Sequence, residues 1–223
     1  YAGAADPARR SVYGSMLSAY QTVTGDRRDR TIDRDFPLDG AITLLPFERL
    51  FKPAGKSQWV HRIFMRMHDD LDAGRTYISV RALMKSLGAS AREDRHYTTF
   101  RIVAPQRTIE IYVNNPDAAG VREGIADIGK RLRGGGVETI IGRGHTGIIT
   151  SLQADSRRVL GDSIRSVAAV IVGTCGSDAS VRDLISTFGY APVITTRSSG
   201  HQSIDNAIIE TYITALLALQ PGG

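Results

Sequence analysis

The chain has 223 residues, 42% of them hydrophobic and 23% charged, with 28 Lys+Arg against 23 Asp+Glu for a formal net charge of +5. That balance is ordinary for a soluble globular protein, which excludes disordered and collagen-like classes, and the length is enough to bury a full core without staples. A single cysteine, Cys175, excludes an internal disulfide framework and any Cys-rich zinc site.

Taken in chain order, 7–24 (PARRSVYGSMLSAYQTVT) reads as a helix with Val12, Met16 and Ala19 on one side. A charged connector, GDRRDRTIDRD (25–35), and an irregular stretch over 36–58 with Pro37, Pro46 and Pro53 follow. Residues 1–58 are therefore expected to form a helical arm and irregular segment, and 59–223 the main domain. From there strands and helices alternate. HRIFMRM (61–67) predicts a strand, HDDLDAGR a polar turn, and 79–88 a helix with Val80, Leu83, Met84 and Leu87 at helical spacing. YTTFRIV (97–103) and TIEIYVN (108–114) predict a hairpin, and Val121, Ile125, Ile128 and Leu132 predict a helix over 117–133 that Gly134 to Gly136 end.

Three strand-loop-helix units complete the chain, with VETII (137–141), VAAVIV (167–172) and PVITT (192–196) as strands and a last helix over 203–219. Short, almost wholly apolar strands of this kind are covered on both faces, as in a parallel sheet with helical crossovers. The expected fold is a three-layer α/β/α sandwich with a mainly parallel central sheet and an antiparallel hairpin.

Arginines are scattered among aspartates, and the densest basic cluster, GKRLRGGG, falls at a predicted helix end where cations suit the helix dipole. Nucleic acid is therefore not expected as a partner. No run approaches the roughly 20 apolar residues of a bilayer span, and no charged-then-apolar leader opens the chain. A soluble, cytoplasmic protein is therefore the expectation, with localisation only weakly constrained, and the start at Tyr1 rather than Met leads us to expect a piece of a larger or processed protein.

In an open parallel sheet, sites gather beyond the carboxyl ends of the strands. Two loops there carry chemistry: VETII leads into GRGHTG and His145, and VAAVIV leads into GTCGSD and Cys175, one strand-loop-helix repeat later. A cysteine attacks as the thiolate, and an imidazole is the usual partner that takes and returns its proton. Gly173, Gly176 and the start of a helix over 178–188 leave room for substrate and supply backbone donors for an oxyanion. A lone cysteine is more often a small buried hydrophobe; the joint placement of Cys175 and His145 between glycines at strand ends favours the catalytic reading. Gly142, Gly144 and Gly147 also spell G-x-G-x-x-G, the dinucleotide pattern, but the next strand ends in Gly173, Thr174 and Cys175 rather than in the acidic residue that grips a ribose.

At these loops the chain resembles the caspase-like cysteine peptidases, a group including caspases, metacaspases, legumains and gingipains. They share an apolar strand leading to a histidine and a small residue, then a second apolar strand ending in a cysteine followed by a small residue, here ETIIGRGHTG and AVIVGTCGSD. From IEIYVNNP to VITTRSSG the chain is also similar to bacterial proteins predicted to share that fold. The resemblance spans about residues 60–220 and implies that Cys175 attacks a peptide carbonyl while His145 protonates the leaving amine. It also implies an oxyanion site from the backbone N–H of Cys175 and of a residue just after His145, which brings in Thr146, Gly147 and Gly176. The family usually carries glycine directly after the histidine, where Thr146 stands here. Thr174 and Gly176 depart from the Q-A-C-x-G pattern of animal caspases, so aspartate specificity is not implied.

Asp69, Asp70 and Asp72 of HDDLD are candidates for a basic-residue specificity pocket or a calcium site, although their spacing does not fit an EF-hand loop. Ser198, Ser199 and His201 of TRSSGHQS are candidates for lining the substrate pocket, as such peptidases often use that loop, and Arg143 and Asp178, which flank the two central loops, join the substrate-binding set. His61, His68 and His96 show no metal-ligand spacing, and no cofactor is required for the chemistry. The expected function is a cysteine endopeptidase acting on a peptide or protein. The alternatives are a catalytically silent caspase-like module that binds a partner or peptide in the same groove, and a nucleotide-binding domain built on the 142–147 glycines.

Overall fold

A computed structural model of the chain describes residues 59–68, 72–105, 107–133, 135–145, 147–189, 191–196 and 202–218. The predicted helix over 7–24 and the irregular segment over 36–58 lie outside the described residues.

The first strand, β1 (Trp59–Met67), is followed by helix α1 (Ala73–Ser86) and strands β2 (Ser90–Glu93), β3 (Tyr97–Ala104) and β4 (Arg107–Asn114). A π-helical turn (Gly120–Gly124) opens into α2 (Ile125–Leu132), and then come β5 (Thr139–Arg143), α3 (Ile148–Leu160), β6 (Ala169–Gly173), α4 (Val181–Thr187), β7 (Val193–Thr195) and α5 (Gln202–Ala218). The seven strands form one sheet in the order β2-β3-β4-β1-β5-β6-β7. Strands β4, β1, β5, β6 and β7 run parallel, while β3 pairs antiparallel with both β2 and β4.

Side chains alternate across a strand, so each central strand feeds two cores. On one face Ile63 and Met65 of β1 and Ile171 of β6 pack with Val80 and Met84 of α1 and Ile209 and Ile213 of α5. On the other, Phe64, Ile140 and Val170 pack with Ile128 of α2, Leu152 of α3 and Leu184 of α4. Helices on both faces of a mostly parallel sheet make the expected three layers. No helix among the described residues is long and apolar enough to cross a membrane.

Four local features differ from the expectation. Helix α1 starts at Ala73 rather than residue 79, because Ala73, Tyr77, Val80 and Leu83 already form one helical face through what reads as a polar turn. Strand β2 is missing from the sequence reading, since all four of its residues are exposed and no apolar alternation marks it; its register with β3, from Ser90↔Arg101 to Glu93↔Thr98, makes it a strand. The first turn of the helix expected over 117–133 is π-helical, and the backbone carbonyls of Asn115 and His96 occupy the space where Cβ atoms of Gly120 and Gly124 would sit. The helix expected over 178–188 is a 3-10 turn (Ser177–Ser180) followed by the shorter α4.

Candidate functional site

The chain places β4 on one side of β1 and β5 on the other, so the strand order reverses at β1 and opens a crevice beyond its carboxyl end. Five strands deliver residues to this edge. The register pairs Met67 of β1 with Arg143 of β5, and Arg143 with Gly173 of β6. His145 and Cys175 therefore each stand two residues beyond the last pair, on neighbouring strands about 4.8 Å apart where they pair. Both side chains are exposed to solvent; His145 is 63% accessible. The thiol is thus open to a substrate rather than enclosed in aliphatic packing.

Two of the three glycines around His145 are accounted for by packing. Gly142 lies inside β5, and a Cβ there would come within 2.8 Å of Leu152 Cδ2 on α3. Gly144 adopts φ +147, and a Cβ there would stand 2.5 Å from the Cβ of His68. The turn leaving β5 is therefore pressed against the residue leaving β1, an approach fixed by the His68 N–H donating to the Arg143 carbonyl at 3.0 Å. Gly147, by contrast, faces open space as the N-cap of α3, and the Ile148 N–H donates to the His145 carbonyl at 2.9 Å. Asn114 closes the crevice on the β4 side. Its Oδ1 accepts the Met67 N–H at 2.8 Å and its Nδ2 donates to the Asn115 carbonyl at 2.9 Å.

Asp72, grouped by the sequence with a specificity pocket or a calcium site, occupies the N-cap position of α1 without a side-chain capping bond, and a carboxylate oxygen stands 3.7 Å from His145 Nε2. Both groups are exposed, so this pair contributes little to stability.

The cysteine loop is held from below. Buried Ser177 receives the Thr196 N–H on its hydroxyl oxygen at 3.1 Å and donates its own backbone N–H to the Thr196 carbonyl at 3.1 Å, while the Thr196 hydroxyl donates to the Thr174 carbonyl. These bonds tie the chain leaving β6 to the end of β7 on both sides of Cys175. Between them Gly176 takes φ +61, a left-handed conformation that a side chain disfavours. Cys175 is thus the tip of a tight, anchored turn.

Arg143 corrects the substrate-binding set. Its side chain is only 1% exposed, its Nη1 pairs with Asp205 of α5 at 2.5 Å, and its Nη2 donates to Asn206 at 3.0 Å. Burial lowers its pKa from 12.5 to about 10. A strand end covered by α5 buries the guanidinium, so Arg143 fastens that helix to the edge rather than meeting a substrate. The Asp205 carboxylate fills the space above Gly173, which is why no side chain is accommodated there.

Thr146, Asp69, Asp70, Ser198, Ser199 and His201 lie outside the described residues, as does the side chain of Asp178. Asn114, Ser177, Thr196 and Asp205 support the site without having been anticipated. Only Ser177, two residues after Cys175, carried a local hint. Compared with known protein families and with curated proteins, the chain matches none.

Proposed function

We propose that the chain is a caspase-like cysteine endopeptidase in which Cys175 is the nucleophile and His145 the proton carrier. The observation that carries this reading is the equal register of two exposed residues, an imidazole and a thiol, on adjacent parallel strands beside the point where strand order reverses. The parallel strands support it as well: β1, β4, β5, β6 and β7 take the second, first, third, fourth and fifth places among them across the sheet, and the third and fourth lead into the histidine and the cysteine.

The chemistry follows from those groups. The Cys175 thiolate attacks the scissile carbonyl and forms a C–S bond, and the carbonyl electrons move onto oxygen. Collapse of that intermediate breaks the C–N bond as the protonated His145 ring gives its proton to the departing amine. Water then attacks the thioester carbonyl with His145 accepting its proton, and collapse breaks the C–S bond, which releases the acid and restores the thiolate beside the protonated ring. The Asp72 carboxylate orients the ring, and the bonds of Ser177 and Thr196 keep the sulfur at the tip of its turn.

Labelling with a thiol-reactive peptide warhead at neutral pH tests the proposal. Cys175 is expected to be modified rapidly, and His145→Ala to slow the reaction by about a hundredfold or more. Equal slow labelling of both proteins would instead favour the silent peptide-binding module.

A further inference from the structure

Far from this edge, the sheet exposes a second surface. Beyond α2 no helix among the described residues covers the hairpin face of β2, β3 and β4, and a groove of about 270 Å³ runs across it. Its floor is Tyr97, Thr99 and Tyr112, its outer rim is Arg92 of β2, and its inner wall is Arg131 of α2. Rows of paired residues cross it: Arg92 faces Thr99 and Thr99 faces Tyr112, while Arg101 faces Glu110 and Glu110 faces Arg62.

Charge on this surface is unevenly spent. Glu110 is compensated twice over, by Arg62 at 3.5 Å and Arg101 at 3.9 Å, and it also accepts the Tyr112 hydroxyl at 2.9 Å. Asp94 is engaged with the Tyr97 hydroxyl. Among the described residues Arg92 and Arg131 form no ion pair, and both act electrostatically on Tyr97 between them. The groove therefore holds two guanidinium groups without an ion pair over a tyrosine floor, with the Asp94 carboxylate in the same lining. Alongside it β2 is the terminal strand of the sheet, its four residues all exposed, so its outward N–H and C=O groups pair with no strand among the described residues.

We infer that this face is a docking site for an extended acidic polypeptide segment, which adds as a strand to β2 and turns its carboxylates inward to Arg92 at the groove rim, with the Arg131 charge across the groove adding to the attraction. The backbone edge supplies sequence-independent hydrogen bonds, and the charge of Arg92, joined by that of Arg131 across the groove, selects acidic side chains. Strand β2 lies five strand positions from β6, about 24 Å away at ordinary spacing, so the surface is separate from the Cys175 edge and the inference does not rest on the proposed peptidase activity.

Fluorescence anisotropy tests this on the full chain with a short labelled peptide of alternating Glu and Thr, beside a Gln/Thr control and an N-methylated Glu/Thr version. The Glu/Thr peptide is expected to bind and to weaken as salt rises. Exchange of Glu for Gln, N-methylation, or the exposed double change Arg92→Glu/Arg131→Glu should each weaken it by about tenfold or more. Cys175→Ala should leave the affinity unchanged. Circular dichroism checks the fold of the double variant, and Arg92→Gln/Arg131→Gln replaces it if that fold is lost. The proposal is overturned by absent binding, by equal binding of the Gln peptide or of the folded double variant, or by free glutamate competing as well as the peptide. It is also overturned if light scattering shows a dimer that the double variant dissolves, which would assign the edge to a second copy of this chain.

Discussion

Acid should find the amino end of the sheet through His61. This ring is fully buried, shares a hydrogen bond of 2.9 Å with the Thr139 hydroxyl, and meets Trp59 edge-on at 5.0 Å. Thr139 is bonded in turn to the Tyr212 hydroxyl of α5 at 2.6 Å, so β1, β5 and α5 share one polar chain inside an apolar core. Burial, and then the nearby Arg107 charge, lower the His61 pKa from 6.5 to about 3. Between those values the unfolded chain binds a proton that the folded chain excludes, so stability rises with pH there. The stabilisation is complete above pH 6.5 and declines as pH falls toward about 3. At 1.36 kcal/mol per pKa unit, the loss from this one residue is about 2 kcal/mol at pH 5 and approaches a ceiling of about 4 to 5 kcal/mol in strong acid. Urea unfolding of the native chain and of His61→Gln, followed from pH 7.5 to 5, isolates the effect, because carboxylates act on both proteins alike. The native chain should lose about 2 kcal/mol more than the variant over that range. Parallel curves, or a His61 proton resonance titrating near pH 6.5, would refute the reasoning.

Three further predictions concern the carboxyl edge. Asp205→Ala strands the buried Arg143 cation and should destabilise the fold by about 3 to 5 kcal/mol in urea unfolding, whereas Arg143→Met/Asp205→Leu should recover most of that loss. Gly144→Ala drives a methyl group against His68 at a left-handed backbone angle and is expected to cost about 1 to 3 kcal/mol, with slower Cys175 labelling as the β5 turn shifts. Ser177→Ala leaves buried backbone groups near Thr196 without a hydroxyl partner, and a loss of about 1 to 3 kcal/mol in thermal or chemical unfolding is expected, again with slower thiol labelling. If labelling is unchanged in a Ser177→Ala protein of reduced stability, the anchoring of the cysteine turn is not what tunes its reactivity.

The alternation of apolar runs with helical faces was enough to read the α/β class, the hairpin and six of the seven strands, because a strand buried on both faces must be apolar throughout and an amphipathic helix must repeat at 3.6 residues. Ile140, Val170 and Ile171 are such residues, and they are fully or almost fully buried. For the same reason Ser90–Glu93 was illegible: an edge strand with every side chain in water leaves no hydrophobic signature and exists only through its pairing with β3. His145 and Cys175 were legible as candidates because each follows an apolar strand and is bracketed by glycines.

Most of their support was not legible, since apart from Ser177 it comes from residues remote in the chain. The sequence by itself determined most of the strands and helices of 59–218 and which two loops carry the candidate histidine and cysteine. Only tertiary structure decided the strand order that puts those loops at equal register, the closure of Arg143 under α5, the turn of Asp72 toward His145, and the open arginine-lined face beside β2. Local periodicity is written in residues a few positions apart, whereas burial and pairing of charges depend on which distant segments share a surface.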